Sequence, residues 1–265
     1  MRRLLIRPGA IGDCIVALPA LQHLKTDYTE VWAPSPIVPL IRFADRVQRL
    51  PSAIDRLAIP GLEPPIALLG YLRTFDSVVS WYGTNQPAFR ARIKELELPF
   101  EFFPALPQSS NGLHVVDFFL KHVGAPFGEA PRIDVKPVQN GSIVIHPFSG
   151  SPRKNWQMAK FRAVAEHLKG PVSWCAAPHE PLAGAVKIPD LYELACWLAG
   201  ARAYVGNDAG ITHLAAAVGT PVVAIFGPTD PGLWAPRGKR VRIVAGDLEK
   251  ISPEEVLAAV ESLLE

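Results

Sequence analysis

The segment that most constrains the fold is an Ala-rich stretch at residues 206–217, GNDAGITHLAAA, which lies between two apolar runs. The preceding run is residues 203–205, AYV, and the following run is residues 222–226, VVAIF. Alanine favours helix, whereas short apolar runs bounded by turns are typical of strands that are covered on both faces. The segment therefore predicts a strand, a tight turn, a helix and a second strand, which together form one βαβ unit of a parallel sheet.

The turn inside this unit is a candidate anion site. We place Asp208 at the helix N-cap, where a carboxylate accepts from free backbone N–H groups, and Gly210 lets a ligand approach the backbone closely. Thr212 and His213 add polar side chains within the first turn. A helix N-terminus carries partial positive charge and unpaired donors, which suit a phosphate or diphosphate. A capped turn without a ligand is the alternative that the rest of the chain must exclude.

The alternation of strand and helix is repeated along both halves of the chain and predicts an α/β protein. Strands are predicted at residues 4–7, 30–33, 77–81, 143–146, 171–176, 201–205, 222–226 and 241–244. Helices are predicted at residues 14–25, 37–43, 89–98, 113–123, 158–168 and 191–198, with a last helix starting at Ser252. We infer two domains facing a cleft, residues 1–135 and 136–265, with the last helix a candidate to pack back on the first domain.

Composition excludes several classes of protein. The net charge of +2 is too small to indicate nucleic-acid binding. No apolar run approaches the roughly 20 residues that span a bilayer, and the apolar run after Met1 is too short for a secretory signal, so we expect a cytoplasmic protein. Cys14, Cys175 and Cys196 are far apart and match neither a metal-site spacing nor a disulfide framework, which predicts buried thiols.

Polar side chains follow several of the predicted strands. Asp13 follows the first strand, at the carboxyl edge where open α/β sheets bind ligands. The turn before it has two glycines but lacks the G-x-G-x-x-G dinucleotide motif.

Arg90, Arg92 and Lys94 form either a solvated face of the predicted helix at residues 89–98 or an acceptor-phosphate patch.

Three strand ends of the second half supply groups suited to a nucleoside diphosphate. The first carries Ser149, Gly150 and Ser151 with Lys154, the second carries Glu180, and the third is the turn at residues 208–213. Backbone donors and a mobile lysine suit phosphate oxygens, and a carboxylate can accept from both hydroxyls of a ribose. No D-x-D pair or His/Asp cluster offers a divalent cation a site, so the sequence predicts no metal.

Three motifs together resemble glycosyltransferase family 9, the heptosyltransferases of lipopolysaccharide synthesis. They are GAIGD at residues 9–13, SGSPRKNW at residues 149–156, and NDAGITHLAAA with GPTDP at residues 207–217 and 227–231. The resemblance implies a GT-B fold, in which two Rossmann-like domains face a cleft and the C-terminal domain holds most of the sugar nucleotide. It also implies metal-independent, inverting transfer of a heptose or similar sugar from an ADP-sugar to a lipopolysaccharide-core or other glycan acceptor.

The resemblance assigns roles residue by residue. Asp13 is the expected general base, Lys154 is expected to offset the charge of the leaving diphosphate, and Glu180 is expected to bind the ribose. The remaining donor-binding candidates are Gly12, Ser149, Gly150, Ser151, Leu191, Asp208, Ala209, Gly210, Thr212 and His213. The expected partners are a nucleotide-sugar donor and a glycan or glycolipid acceptor, with peripheral contact to the inner membrane and no nucleic acid. Two alternatives stay open, namely a nucleotide-sugar epimerase of GT-B architecture and a non-catalytic nucleotide-sugar-binding protein.

Overall fold

The computed structural model describes residues 1–59, 61–107 and 112–265. It contains two parallel sheets of five strands each. The first sheet is formed by β1 (Arg2–Ile6), β2 (Tyr28–Ala33), β3 (Arg46–Arg49), β4 (Ser77–Ser80) and β5 (Phe100–Phe102). The second sheet is formed by β6 (Ile143–His146), β7 (Val172–Trp174), β8 (Ala203–Asn207), β9 (Val222–Phe226) and β10 (Val241–Ala245). The prediction of an α/β protein with two parallel-sheet halves is confirmed.

Helices connect the strands of each sheet. The first half contains α1 (Ile11–His23), α2 (Ile66–Leu72), α3 (Pro87–Glu95) and α4 (Val115–His122). The second half contains α5 (Met158–His167), α6 (Leu191–Ala199), α7 (Gly210–Ala217), α8 (Pro231–Trp234) and α9 (Pro253–Leu264). None of the described helices combines the length and apolarity that crossing a membrane requires.

The strand orders fix where ligands can bind. The first sheet has the order β3-β2-β1-β4-β5 and the second has the order β10-β9-β8-β6-β7. Chain direction through the sheet therefore reverses between β1 and β4 in one half and between β6 and β8 in the other. Open α/β sheets bind ligands outside the carboxyl ends of the strands at such switch points, and the loops after β1, β6 and β8 carry the predicted site residues.

Several elements differ from the sequence prediction. β3, β5 and α2 were not predicted, because β3 reads as the polar RVQR, β5 has only three residues, and α2 follows a proline-rich stretch. Helix α1 begins at Ile11, three residues earlier than predicted, and this places Asp13 in its first turn.

Helix α9 packs on the second sheet together with α5. The prediction that this helix could pack back on the first domain is therefore wrong. Its buried residues Val256, Val260 and Leu263 join the apolar core around Ile145 and Val205 of that sheet, and this contact fixes the helix there. The predicted start of the helix is confirmed, because Ser252 and Glu255 form a capping box. The domain boundary at residue 135 stays a prediction.

The three cysteines are free and buried, as predicted. Burial raises the pKa of the Cys14 thiol to about 11 and that of the Cys175 thiol to about 12. Both groups are therefore protonated at neutral pH and pack as small apolar side chains.

Candidate active site

The N-termini of α1 and α7 meet between the two sheets. A Cβ atom added to Gly210 would lie 2.9 Å from the Cβ of Ile11 and 3.0 Å from the backbone nitrogen of Gly12. A Cβ atom added to Gly12 would lie 3.4 Å from the imidazole of His213. The two helices approach this closely because glycine stands at both contact positions.

A cavity of about 480 Å³ opens at this meeting point, and both halves of the chain line it. The first half contributes Ala10, Gly12, Asp13, Val16 and Leu106, and the second contributes Gly150, Lys154, Asp208, Ala209, Gly210, His213, Thr229 and Trp234. The predicted base, the predicted phosphate-binding lysine and the glycine-containing helix start therefore face one space.

Backbone amides at both helix starts are available to a ligand. The N–H groups of Ile11 and Gly12 in α1, and of Gly210 and Ile211 in α7, donate no hydrogen bond within the described residues. Each lies in the first turn of its helix, where no intrahelical acceptor exists. Two helix dipoles thus present their positive ends to the same cavity, which favours an anion there.

Asp13 lies in the first turn of α1 and is held there on one side. Its Oδ2 accepts from the backbone N–H of Ala10 at 3.1 Å, and its Oδ1 has no donor within the described residues. Gly9 precedes it at φ 125°, and a Cβ there would lie 2.9 Å from the Cβ of Asp13. The turn thus requires glycine, and it leaves one carboxylate oxygen free at the cavity wall.

Lys154 and Asp208 form an ion pair, with 2.7 Å between Nζ and Oδ2. The prediction that Asp208 caps α7 is wrong, because the N-cap is Ala209. The amide of Asp208 donates to the carbonyl of Ile225, which extends the strand pairing by one residue and delays the helix start. The carboxylate consequently turns toward the lysine.

His213 is buried at the cavity wall. Burial lowers the pKa of its imidazole to about 4, and this outweighs the opposing effect of the nearby Asp208 charge. The side chain is therefore neutral at pH 7, where it can donate from one ring nitrogen and accept at the other.

Three predicted donor-binding residues, Thr212, Ser149 and Ser151, are not among the residues that line the cavity. The Thr212 hydroxyl is fully buried and donates to the carbonyl of Asn207 at 2.5 Å, with Tyr204 beside it. The Ser149 hydroxyl lies 2.7 Å from the Ser151 carbonyl and organises the loop after β6. The first turn of α7 is phased so that His213 faces the cavity and Thr212 faces the sheet.

Glu180 and Leu191 also lie apart from the residues that line the cavity. Burial acts to raise the pKa of the Glu180 carboxyl, but bonds from His146 Nε2 at 3.2 Å and the Ala177 amide at 2.6 Å outweigh it and lower the pKa. Leu191 is buried at the first position of α6. The ribose role of Glu180 stays a prediction.

Arg7 beside the site and five residues that line the cavity were not predicted as site residues; the five are Ala10, Val16, Leu106, Thr229 and Trp234. Thr229 and Trp234 belong to the segment after β9 and line the cavity. Arg7 follows β1 and is 2% exposed, with its Nη2 donating to the backbone oxygen of Asp13 at 2.8 Å. Its guanidinium stacks on Phe119 and has no carboxylate partner within the described residues, and burial lowers its pKa. The one sign of Arg7 in the sequence is a single basic residue at the end of an otherwise apolar predicted strand.

The described residues contain no group of three or more His, Cys, Asp or Glu side chains that could hold a metal ion.

Comparison with known proteins supports the family prediction. Residues 175–260 match the model of Glycosyltransferase family 9 (heptosyltransferase). Lipopolysaccharide heptosyltransferase 3 of Escherichia coli is 30% identical over 172 residues, covering 50% of each chain. Lipopolysaccharide heptosyltransferase 1 of Pseudomonas aeruginosa is 37% identical over 101 residues, covering 32% of this chain and 28% of that protein. The resemblance to glycosyltransferase family 9 is confirmed.

The structural comparisons cover the whole chain. A family 9 glycosyl transferase from Veillonella parvula superposes with a TM-score of 0.76 at 16% identity, covering 99% of this chain and 97% of the other. The E. coli ADP-heptose lps heptosyltransferase II gives 0.75 at 18% identity, covering 100% and 98%. These identities show the fold alone, and the predicted GT-B fold is confirmed.

The extent of the sequence match limits what it carries to this chain. The alignments span about half the length of the first curated relatives, 50% and 49%.

Proposed function

We propose that this protein is a glycosyltransferase that moves a heptose, or a similar sugar, from an ADP-sugar to a lipopolysaccharide-core or other glycan acceptor with inversion. The observation that carries the proposal is the shared cavity, in which Asp13 of one half faces Lys154 and the start of α7 in the other half. The predicted enzyme class agrees with the names of the family 9 relatives.

The donor diphosphate binds between the two helix starts in this proposal. The free amides of Gly12 and Gly210, which both line the cavity, donate to its oxygens. Lys154 has three N–H donors and uses one on Asp208, so two remain for the phosphates. The Asp208 carboxylate serves to orient the lysine, and the neutral His213 adds a donor without an extra charge.

Asp13 removes the proton from the acceptor hydroxyl. The hydroxyl oxygen forms a bond to the anomeric carbon while the bond from that carbon to the diphosphate oxygen breaks, and ADP leaves with the bonding pair. Attack on the face opposite the leaving group inverts the anomeric centre. The carboxylate oxygen without a donor is positioned to take the proton, and Lys154 with the amides stabilises the leaving diphosphate.

The proposal includes catalysis without a metal ion, because the lysine and two helix dipoles supply the positive charge that a divalent cation would otherwise provide. It also includes a cytoplasmic location with peripheral contact to the inner membrane where the acceptor is a glycolipid. These two points depend on the family resemblance. EDTA dialysis that abolished turnover, with restoration by one divalent ion, would refute the first.

Replacing the proposed base tests the mechanism. We expect Asp13→Asn to lower kcat by about 10³-fold, because general-base catalysis contributes on that order, and to leave the Kd of ADP within about twofold. Calorimetry with ADP and turnover of ADP-heptose on a glycan acceptor panel provide the two measurements. Asp134→Asn, at an exposed carboxylate outside the cavity, is the matched control.

Two results would contradict the proposal. Full turnover by the Asp13→Asn variant would remove the assigned base. Conversion of the nucleotide sugar in the absence of any acceptor, detected by product analysis, would favour the epimerase alternative instead.

A further inference from the structure

The cavity wall formed by Thr229 and Trp234 is tied to the opposite half of the molecule. These two residues belong to the segment 227–237, which leaves the second sheet after β9. Its end is bound by α4 of the first half. Two contacts make this connection, and we refer to them together as the α4 clamp: Asp117 with Arg237, and His114 with the carbonyl of Ala235.

The ion pair of the clamp has two-point geometry. Arg237 Nη1 donates to Asp117 Oδ1 at 2.7 Å, and Nη2 donates to Oδ2 of the same carboxylate. Asp117 also accepts from the Gly128 amide at 2.9 Å, and Arg237 also donates to the Glu129 carbonyl at 3.2 Å. Paired guanidinium–carboxylate bonds fix orientation as well as distance, so the end of the segment is held in one position.

The histidine contact fixes a second point. His114 Nδ1 accepts from the Val116 amide at 3.2 Å, so this nitrogen carries no proton. The proton is therefore on Nε2, which donates to the carbonyl of Ala235 at 2.9 Å. Ala235 directly follows Trp234, so this bond lies one residue from the side chain that lines the cavity.

Within segment 227–237 itself, the hydrogen bonds are local. Asp230 caps the four-residue α8 by accepting from the Gly232 amide at 2.8 Å. Trp234 and Ala235 also pack against an apolar cluster that contains residues of both halves. Among the described residues, the hydrogen bonds that fix the end of the segment therefore come from the first half, although the segment belongs to the second.

We infer that Asp117 and His114 are positioning residues, which act through Arg237 and Ala235 to hold Thr229 and Trp234 as the outer wall of the donor cavity. The inference rests on the proposed function for its consequence in catalysis. It predicts that the two halves have to be docked on each other before the donor cavity is complete. A donor bound to the second half alone would meet this segment without the first-half contacts that hold it in place.

Hydrogen exchange and steady-state kinetics test the clamp together. We expect Asp117→Asn to speed exchange of peptides covering residues 229–237 by about tenfold, since it removes a charge-assisted two-point bond. Peptides from β8 and α7 should keep their wild-type rates. The KM for ADP-heptose should rise about tenfold with a smaller change in kcat, because misplacing a wall weakens donor positioning.

Arg237→Lys keeps the charge but loses the paired geometry, so it should fall between wild type and Asp117→Asn. Arg242→Ala, which removes a contact to Ser262 within the second half, is the matched control and should match wild type. His114→Gln provides a second variant if Asp117→Asn does not fold.

Equal exchange of residues 229–237 in Asp117→Asn and Arg242→Ala would overturn the clamp, as would uniform loosening of every peptide. Failure of the wild-type protein to bind ADP or to turn over ADP-heptose would refute the proposed function instead, since the exchange measurement needs neither ligand.

Discussion

Each half of the molecule brings an aspartate to the start of a helix at the same cavity, yet the two carboxylates have different surroundings. Asp13 lies inside the first turn of α1 and accepts one backbone amide, with one oxygen free. Asp208 lies before α7 and is paired with Lys154. The difference suits one carboxylate to accept a proton and the other to position a cation. Residue type and position near a helix start do not by themselves decide the role.

The basic residues that contact the two aspartates, Lys154 and Arg7, also differ in exposure and in what they can reach. Lys154 is about one-third exposed and reaches into the cavity, so it can contact a ligand. Arg7 is buried, stacks on Phe119 and donates to the backbone oxygens of Asp13 and Ala105, so it acts on the shape of the α1 turn. The Lys154 side chain can therefore move to meet a donor, whereas the turn that carries Asp13, the proposed base, is held by buried contacts.

Of the substitutions that distinguish the two sides of the cavity, removal of the Lys154 amine is expected to have the largest effect. We expect Lys154→Met to lower kcat by about 10³-fold, because it removes the charge that stabilises the leaving diphosphate, and also to weaken ADP binding. Lys169→Met, at an exposed lysine outside the cavity, is the control. Unchanged ADP affinity and unchanged kcat would show that the lysine serves only as a partner of Asp208.

The buried imidazole on the donor side predicts a pH dependence of stability. The pKa of His213 is about 4 in the folded protein against 6.5 for a free side chain, so the unfolded chain binds the extra proton first as pH falls. Stability should therefore decline between about pH 6.5 and pH 4, by about 3 kcal/mol from this group. Urea unfolding across this range checks it. His213→Gln should lack this part of the decline, and an identical pH profile in both proteins would contradict the assignment.

Substitution of Arg7, which holds the turn that carries Asp13, is expected to have a smaller effect on turnover. We expect Arg7→Met to lower kcat by about tenfold, because the α1 turn that holds Asp13 loses its bond, with no change in ADP affinity. The free energy of unfolding should stay equal or rise, because a buried cation without a carboxylate is replaced by an apolar side chain of similar length. Turnover and denaturant unfolding measure the two. A loss of stability with unchanged kcat would make Arg7 a purely structural residue.

The sequence predicted the sheet edges that form the site, because motif positions and the carboxyl-edge rule both depend on local order along the chain. This rule grouped Lys154, Gly210 and His213, the family resemblance added Asp13 from the other half, and the structure brings all four to one cavity. Thr229 and Trp234 could not be placed, because their wall depends on the pairing of Asp117 with Arg237 across 120 positions of sequence.

The sequence also did not predict which side chains within one helical turn face the cavity. Thr212 and His213 are neighbours in the same motif, but only the histidine faces the cavity. Asp208 lies beyond the end of β8, and α7 begins one residue later than an N-cap at Asp208 predicts. The side-chain directions in this turn follow from how the helix packs on the sheet, where the Thr212 hydroxyl meets Asn207 and Tyr204.

The glycine contact between α1 and α7 has a consequence for how this fold can change. A single methyl group at position 210 would push against Ile11 and the backbone of Gly12, so the spacing of the two helix starts cannot be tuned by small substitutions there. Under the proposed function, a change in the size of the donor sugar would be accommodated by cavity walls away from this contact, such as the segment that carries Trp234, while the spacing of the two helix starts stays constant.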